Sequence, residues 1–337
     1  MRLGFATILK WLLPLMTCFV AVAVVVEPSA HAGDGGGRVY RFLPQWIPQA
    51  QFAGFYVAER KKFYEKRGLK VEILKGGLES PPAETLTKGG ADFVSLFLSD
   101  AIKLRSGGLR LVNIGQMGQR SSLMLIARKD SGITKPEDLD GRRVSLWEGD
   151  FRTQILTFLQ EHGAKATIVP QGSTVNLFLR GGVDAASAMW YNEYHLVLNA
   201  GLDTGELTTF PLADHDLNFP EDGIYCLEKL WGESPEDCGK FVAATLEGWR
   251  YAFEHPEEAL DIVMAICDQA HTGTNRSHQR WMLARMRDIM LPGDGRRLDG
   301  LLTKKDYEQV AEFLLKHQVI NSSPPFADFA KEPKSHD

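Results

Sequence analysis

The sequence predicts an α/β protein with two lobes, on three observations. Short apolar strands alternate with helices between residues 39 and 188, as in a parallel sheet covered by helices on both faces. About 300 residues follow the apolar N-terminal segment, which is more than one hydrophobic core usually organises. From residue 235 the pattern becomes mostly helical, and a helical tail that returns to the first lobe would leave two crossings between the lobes.

Residues 1–32 have the pattern of a secretory signal peptide. Two basic residues precede an apolar run from Trp11 to Val26, and Ala30 and Ala32 are the small residues expected at a cleavage site. A retained membrane anchor is the alternative, because the run is near the lower length limit of a spanning helix. We expect export and a mature chain that begins near residue 33.

The amino-acid composition limits the classes of partner and of metal or cofactor chemistry that we expect. The chain carries 38 Lys plus Arg against 43 Asp plus Glu, a net charge of −5, which argues against a nucleic-acid partner. Three cysteines follow the signal segment, without CxxC spacing. Cys226 and Cys238 could form a disulfide in an oxidising compartment, and buried free thiols are the equal alternative. The histidines show no metal-ligand spacing, so we expect no metal and no cofactor.

The first lobe begins with alternating strands and helices. Strands are predicted at Val39–Leu43, 69–74 and 91–96, and helices at 52–68, 83–89 and 99–105. Ligands of such sheets bind beyond the carboxyl ends of the strands. The segments expected to line a site are therefore 44–56, 76–82 and 96–100.

The pattern then restarts and ends in a helical tail. Strands are predicted at Leu123–Arg128, 143–147, 166–169 and 183–188, and a loop that runs into a helix at 149–163. Further helices are predicted at 176–180, Pro235–Glu254, 256–268, 277–290 and 304–317. We predict that lobe 1 contains residues 38–118 and 216–330, and that lobe 2 contains residues 122–213. Their crossings would lie near 117–122 and 212–218, and domain interfaces of this kind are preferred ligand sites.

Six short strings occur in order along the mature chain. They are Gln51-Phe-Ala-Gly-Phe-Tyr-Val-Ala58, Phe63-Tyr-Glu-Lys-Arg-Gly-Leu-Lys-Val71, Gly90-Ala-Asp-Phe93, Pro136-Glu-Asp-Leu-Asp-Gly141, Gly182-Val-Asp-Ala185 and Trp190-Tyr-Asn-Glu193. Together they resemble the thiamin-pyrimidine-precursor family of periplasmic substrate-binding proteins of ABC transporters. The resemblance implies the type II periplasmic-binding-protein fold, in which two α/β lobes joined by a two-crossing hinge close on a small molecule. Members of that family bind thiamin pyrimidine precursors, and others bind riboflavin or different small solutes.

Aromatic residues on strand-end loops could hold a flat heterocycle. Aromatic faces that meet across a cleft stack well on such a ring. Trp46 and Trp190 are the leading candidates, whereas Phe55 and Phe151 could equally pack within a lobe. The full aromatic set is Trp46, Phe55, Tyr56 and Phe97 in the first lobe, with Trp147, Phe151, Trp190 and Tyr191 in the second.

Glu193 is the main polar candidate, because it follows the strand that ends at residue 188. Its carboxylate could accept hydrogen bonds from the exocyclic amine of an aminopyrimidine. The alternative is an ion pair with Arg152 or Arg120. The other polar candidates are Gln51, Asn192, Asp222 and Tyr225.

An enzyme is the alternative class of protein, because the eukaryotic relatives of the family that this chain resembles are pyrimidine synthases. They use a histidine before a small residue and glycine, together with a cysteine-rich iron motif. This chain has Phe52 before Ala53-Gly54 and no such cysteine cluster. Phenylalanine cannot ligate a metal or donate from a nitrogen, so we expect no catalytic residues. Glu193 with His195 would be the remaining acid–base pair, without a neighbouring nucleophile.

The sequence therefore predicts a periplasmic solute-binding protein, not an enzyme. We expect its ligand to be a small aromatic heterocycle, with a thiamin pyrimidine precursor as the first choice and riboflavin or another solute as the second. The resemblance implies a monomer that delivers its ligand to an ABC permease and ATPase. A ligand-sensing receptor for a signalling partner would use the same cleft.

Overall fold

The structure is a computed structural model that describes residues 38–291, 293 and 298–332. The signal peptide predicted over residues 1–32 lies outside the described residues. Among the helices that are described, none combines the length and the apolar character needed to cross a membrane.

The described residues form ten strands in two five-stranded sheets. The strands are β1 (Val39–Leu43), β2 (Lys70–Ile73), β3 (Phe93–Leu96), β4 (Leu111–Gln116), β5 (Leu123–Arg128), β6 (Arg143–Leu146), β7 (Thr167–Pro170), β8 (Ala185–Met189), β9 (Leu207–Pro211) and β10 (Gly223–Leu227). The first sheet has the order β2-β1-β3-β10-β4 and the second has the order β7-β6-β8-β5-β9. Two connections, 117–122 and 212–222, join the strands of one sheet to those of the other.

Both sheets are mixed: the parallel pairing predicted for the first three strands is confirmed, and each sheet also contains antiparallel pairs. In the first sheet β1 runs parallel to β2 and β3, whereas β10 runs antiparallel to β3 and β4. In the second sheet β6 runs parallel to β7 and β8, whereas β5 runs antiparallel to β8 and β9. The reason is that β5 and β10 each follow a connection from the other sheet. They enter at the edge where the neighbouring strands end and must run in the opposite direction.

Thirteen α-helices surround the sheets in the described part of the chain. They are α1 (Ala53–Arg60), α2 (Phe63–Lys66), α3 (Pro82–Thr87), α4 (Leu98–Ser106), α5 (Asp150–Glu161), α6 (Asn176–Leu179), α7 (Glu193–Asn199), α8 (Glu228–Glu233), α9 (Pro235–Glu254), α10 (Pro256–Gln269), α11 (Arg276–Met290), α12 (Lys304–Lys316) and α13 (Phe326–Phe329). Short 3-10 turns cover Ala50–Phe52, Lys129–Ser131, Pro136–Leu139, Thr204–Glu206 and Leu212–Asp214.

The predicted bounds of β1, β5 and α9 are confirmed at both ends. The single helix predicted over 52–68 was wrong, because Lys62 adopts a left-handed conformation with φ 61° that separates α1 from α2. Strands β4 and β9 and helix α7 were not predicted. Strand β4 is buried on both faces and therefore lacks the alternation that marks a half-exposed strand.

The first sheet packs against α9 through aromatic rings. Phe241 stacks on Phe93 with centroids 4.2 Å apart, and Phe42 stacks on Phe55 at 4.1 Å. Helices α1 and α9 approach closely because both carry glycine at the contact: a Cβ on Gly248 would lie 2.1 Å from the carbonyl oxygen of Gly54. This packing fixes α1 and the residues that precede it.

The three described cysteines are buried free thiols, so Cys226 and Cys238 are not joined by a disulfide. Burial, with a further contribution from the neighbouring Cys238, raises the pKa of Cys226 well above its ordinary value. Burial likewise raises the pKa of Cys267 to about 11. These thiols act as small apolar groups in the core.

Candidate functional site

The candidate site lies where the carboxyl ends of strands from the two sheets face each other. Strand β3 leads into Phe97, and the loop after β6 leads into Phe151 at the start of α5. The two rings make an edge-to-face contact, with centroids 5.0 Å apart and planes at 71°. Side chains from the two sheets therefore touch at this edge.

Asp222 is a buried carboxyl held by two glutamine side chains. Gln45 Nε2 donates to its Oδ1 at 2.5 Å, and Gln51 Nε2 donates to Oδ1 at 2.9 Å and to Oδ2 at 3.0 Å. Burial raises the pKa of Asp222 to about 6, although the bonds from Gln51 and Gln45 oppose the shift. The backbone of Asp222 is left-handed, with φ 55°. Such conformations carry a backbone cost and cluster at functional sites.

Glu221 is the second buried carboxyl, and it ties the two connections between the sheets together. Its Oε1 accepts hydrogen bonds from the backbone N–H of Ser122 at 2.6 Å and from the hydroxyl of Ser121 at 3.2 Å. The hydroxyl of Ser122 also donates to Oε2 at 2.9 Å. Burial raises the pKa of Glu221 to about 8, and the charge of the adjacent Asp222 contributes less to the same shift. The hydrogen bonds from the serines oppose it.

Glu193 is the third buried carboxyl and begins α7. Its Oε2 accepts from the backbone N–H of Met189 at 3.0 Å, and its Oε1 accepts from Asn192 Nδ2 at 2.8 Å. Burial raises its pKa despite these bonds. The alternative of an ion pair was wrong, because Arg152 pairs with Glu148 and Arg120 pairs with Asp214.

Tyr191 lies among these carboxyls. It is 3% exposed, and its hydroxyl makes no hydrogen bond with any residue that the structure describes. Burial raises the pKa of Tyr191 well above its ordinary value, and the carboxyls of Glu221, Asp222 and Glu193 raise it further. We call these four residues, Tyr191, Glu193, Glu221 and Asp222, the acidic junction.

A chain of polar side chains leads from the acidic junction to α11. Asn192 Oδ1 lies 2.9 Å from His278 Nε2, and His278 Nδ1 lies 2.9 Å from His195 Nδ1. The ring of His195 in turn stacks on Trp281 with centroids 4.8 Å apart. Burial, then the neighbouring His195, lower the pKa of His278 to about 4, so the ring is neutral near pH 7. Helix α11 of the returning tail thus contacts α7, which follows a strand of the second sheet.

Trp190 and Trp46 are half-buried and lie on strand-end loops. Trp190 donates its backbone N–H to the carbonyl of Ser122 at 2.9 Å, and the guanidinium of Arg285 lies 4.7 Å from the centre of its ring. Trp46 lies in the segment that follows β1 and is a partly buried residue that packs against the core. Both residues are partly exposed, as a ring-stacking role requires.

Three of the predicted site residues are buried in the core of the first sheet. Phe55 and Tyr56 belong to α1, which begins at Ala53 and turns both rings into the first-sheet core. Phe55 is occupied by its stacking on Phe42. Tyr225 lies on β10, a central strand that is buried between β3 and β4.

Sequence reasoning missed Glu221, Gln45, Ser122 and His278. One signal was available, because Glu221 directly precedes Asp222 in the otherwise apolar and turn-forming stretch Phe219-Pro-Glu-Asp-Gly-Ile224. His278 gave no signal, since its contact with Asn192 joins positions 86 residues apart. Among the described residues, no three metal-ligating side chains converge.

Comparison with known proteins assigns this chain to a family. Residues 49–259 match the family described as NMT1/THI5 like, which confirms the resemblance drawn from the sequence. The chain is 26% identical to the riboflavin-binding protein RibY of Chloroflexus aurantiacus, over 78% of this chain and 76% of that protein. It is 24% identical to the formylaminopyrimidine-binding protein of Halalkalibacterium halodurans, over 73% and 76% of the two chains.

Two further comparisons bear on fold and on activity. The periplasmic aliphatic sulphonate binding protein SsuA from Escherichia coli superposes with a TM-score of 0.70 at 16% identity, covering 90% of this chain and 94% of that one. The predicted periplasmic-binding-protein fold is thereby confirmed. A 4-amino-5-hydroxymethyl-2-methylpyrimidine phosphate synthase of Legionella pneumophila is 23% identical over 68% of this chain and 74% of that protein.

Proposed function

Because the chain belongs to the NMT1/THI5-like family, we propose that it is a periplasmic solute-binding protein for a small aromatic heterocycle. A thiamin pyrimidine precursor is the preferred ligand. The relatives named for riboflavin and formylaminopyrimidine binding support this class of ligand.

The observation that carries the proposal is the acidic junction between the facing edges of the sheets. An aminopyrimidine offers an exocyclic amine as a donor beside a ring nitrogen that accepts. A carboxylate accepts from the amine, and a protonated carboxyl can donate to the ring nitrogen. Glu193 and Asp222 supply such groups, and half-buried Trp46 and Trp190 supply faces on which the ring can stack.

Binding would proceed by closure of two lobes, residues 38–118 with 216–330 and residues 122–213. The connections 117–122 and 212–222 are the hinge in this scheme. A ligand that contacts both Asp222 and Glu193 stabilises the closed population by its differential affinity for it. The closed monomer would then dock on an ABC permease and its ATPase. No covalent step is involved.

The test is a ligand screen with the mature protein. Thermal shift and calorimetry would compare hydroxymethylpyrimidine, formylaminopyrimidine, riboflavin and an aliphatic sulphonate. We expect the aminopyrimidines to stabilise the protein most. Glu193→Gln should weaken binding by ~10-fold or more, since hydrogen bonds to charged groups contribute ~1.5–3 kcal/mol. Trp46→Ala should also weaken binding, because it removes a face on which the ring stacks, and such a pair contributes ~0.5–1.5 kcal/mol. Leu78→Ala, at an apolar side chain that is 79% exposed, is the control. Stabilisation by the aliphatic sulphonate alone would exclude the proposal.

Riboflavin is the second candidate ligand, favoured by the relative RibY. The same calorimetry separates the two, because the ligand with the lower dissociation constant is the cognate one. An enzyme like the Legionella relative is opposed by Phe52, which is fully buried where the resembling synthases have a histidine. Mass spectrometry after incubation with each ligand should return it unchanged.

A further inference from the structure

Helix α11 connects the two edges of the candidate site. On one side, Oε1 of its Gln279 accepts the backbone N–H of Ala50 at 2.6 Å, in the 3-10 turn that follows β1. On another side it contacts residues 190–195, which follow β8 of the second sheet. Both contacted segments therefore follow the carboxyl end of a strand, one in each sheet. An element that joins these two edges can control how far apart they lie.

Three side chains of α11 make the contact with residues 190–195. We call them the α11 latch: His278, Trp281 and Arg285. Trp281 Nε1 donates to the carbonyl oxygen of Trp190 at 3.0 Å. The Trp281 ring also stacks on His195, with centroids 4.8 Å apart and planes at 4°. His278 Nε2 lies 2.9 Å from Asn192 Oδ1. The contact thus combines hydrogen bonds with ring stacking.

The α11 latch occupies one face of the helix. Its residues are spaced by three and four positions, and side chains at this spacing are neighbours on a helix surface. Arg276 and Arg280 lie on the opposite face, where both form ion pairs with Glu257 of α10. The helix therefore separates its contacts with the second sheet from its contacts with α10, and the two faces can be altered independently.

Arg285 covers the ring of Trp190. Its guanidinium lies 4.7 Å from the centre of the Trp190 ring and 4.5 Å from the centre of the Trp281 ring. Its Nε donates to Asp288 at 2.7 Å, which restrains the guanidinium. A cation over an indole face is attracted by the ring quadrupole. Because one face of Trp190 is covered in this way, a ligand ring can stack only on the opposite face.

We propose that the α11 latch holds the two edges of the candidate site together, and that its three members are positioning residues for the ligand. This inference rests on the proposed function for the ligand and for Trp190 as its stacking surface. The latch acts on the site through Trp190 and Asn192, which it contacts directly. Contacts that form only when the edges are close raise the closed fraction of the protein. The apparent dissociation constant then falls in proportion to that fraction.

The first measurement is the separation of the two sheets in the mature protein. Glu65→Cys on α2, where the side chain is 59% exposed, and Leu177→Cys on α6, where it is 41% exposed, introduce thiols for two spin labels. The three described cysteines are buried and should not be labelled. Double electron–electron resonance then gives the distance distribution without ligand and with hydroxymethylpyrimidine. We expect Trp281→Ala to reduce the short-distance population by ~5-fold or more in at least one of the two conditions.

The second measurement is calorimetry with hydroxymethylpyrimidine. Trp281→Ala should raise the dissociation constant by ~5-fold or more, because it removes a hydrogen bond and a stacked ring pair. Trp281→Phe keeps the ring and loses the N–H donor, so its effect should be smaller. Arg285→Gln should act in the same direction, because it removes the cation above Trp190. Arg280→Gln, next to Trp281 but facing α10, is the matched control and should change neither measurement.

Wild-type distances and a wild-type dissociation constant in Trp281→Ala would overturn the inference. A wild type that shows only the long separation, with and without ligand, would also overturn it. Lower stability in urea without a change in distances would assign Trp281 to the fold alone, with the same consequence. If Trp281→Ala does not fold, Trp281→Phe and Arg285→Gln decide. A wild type that binds no heterocycle would end the proposed function, and the distances without ligand would still decide the inference.

Discussion

The aromatic core of the first sheet and the acidic junction are both buried, yet they are buried in opposite ways. In the core, Phe241 meets Phe93 and Tyr64 as stacked rings, and apolar burial repays the ordering of the chain. In the acidic junction, carboxyls are held by neutral donors and stay unpaired with any cation among the described residues. The first arrangement stabilises the fold. The second costs stability and is retained where a ligand can use it.

The difference shows how helix packing places two neighbouring residues of one segment in different environments. Gln51 lies before α1 and faces Asp222, whereas Phe55 lies four residues later and enters the core. Both belong to one short aromatic and amide-rich string. Helix geometry separates them, because α1 packs closely on α9 and turns one face inward.

The largest expected effect comes from breaking the core. Phe241→Ala removes a fully buried ring that contacts Phe93, Tyr64 and Phe42, so the free energy of unfolding should fall by ~3–5 kcal/mol. Urea denaturation followed by tryptophan fluorescence measures it. Leu78→Ala, at a side chain that is 79% exposed, should change stability by less than ~0.5 kcal/mol. A comparable loss in both variants would mean that this core does not carry the fold.

The next effect separates the acidic junction from the core by its pH dependence. Because the folded protein raises the pKa of Glu221 to about 8, it binds more protons than the unfolded chain between pH 4.5 and 8. The free energy of unfolding should therefore fall as pH rises, by up to ~1.4 kcal/mol per pH unit for this group. Asp222 adds the same sign below about pH 6.

Glu221→Gln should flatten the dependence of the free energy of unfolding on pH between pH 6.5 and 8. Of the two carboxyls Glu221 and Asp222, Glu221 is the one that titrates in this range. Denaturation at a series of pH values measures it, and Glu65→Gln should keep the wild-type slope. A slope that survives in Glu221→Gln would show that the carboxyl is not the group titrating there.

The sequence was informative about the core and much less so about the acidic junction. The hydrophobic period and the segment length predicted strands such as β1 and helices such as α9, because local propensity and burial agree there. It could not separate Phe55 from Gln51, since the direction of a side chain depends on which helix packs above it. Nor could it connect His278 with Asn192, because that contact forms only when the tail returns. Glu193 could be placed at the edge of the second sheet because it follows a strand, which is a local signal.

A third effect tests how closely the core helices must approach. A Cβ on Gly248 would lie 2.1 Å from the carbonyl oxygen of Gly54 and 2.9 Å from the Cβ of Ala58. Gly248→Ala should therefore force α9 from α1 and cost ~1–3 kcal/mol. Gly232→Ala is the matched control, because a Cβ there meets nothing within 4 Å in helix α8 and should stabilise by ~0.5–1 kcal/mol. Thermal denaturation distinguishes them by opposite shifts of Tm.

The smallest effect concerns His278, which joins α11 to the acidic junction through Asn192. The folded protein lowers the pKa of His278 to about 4, so it binds fewer protons than the unfolded chain between pH 4 and 6.5. Its contribution to the free energy of unfolding is therefore present above pH 6.5 and lost as pH falls through about 4, opposite in sign to that of Glu221. His278→Ala should cost ~1 kcal/mol near pH 7 and nothing near pH 4.

Measuring His278→Ala against His278→Gln separates the hydrogen bond from the histidine charge. Glutamine keeps a donor that can reach Asn192 and does not titrate, so it should restore stability near pH 7 and remove the slope below pH 6.5. His162→Ala, at a half-buried ring beside Glu137 and away from α11, should leave that slope unchanged. If His278→Ala kept the wild-type pH profile, α11 would contact α7 by packing alone, and the polar chain from Asn192 to His195 would contribute nothing to the junction.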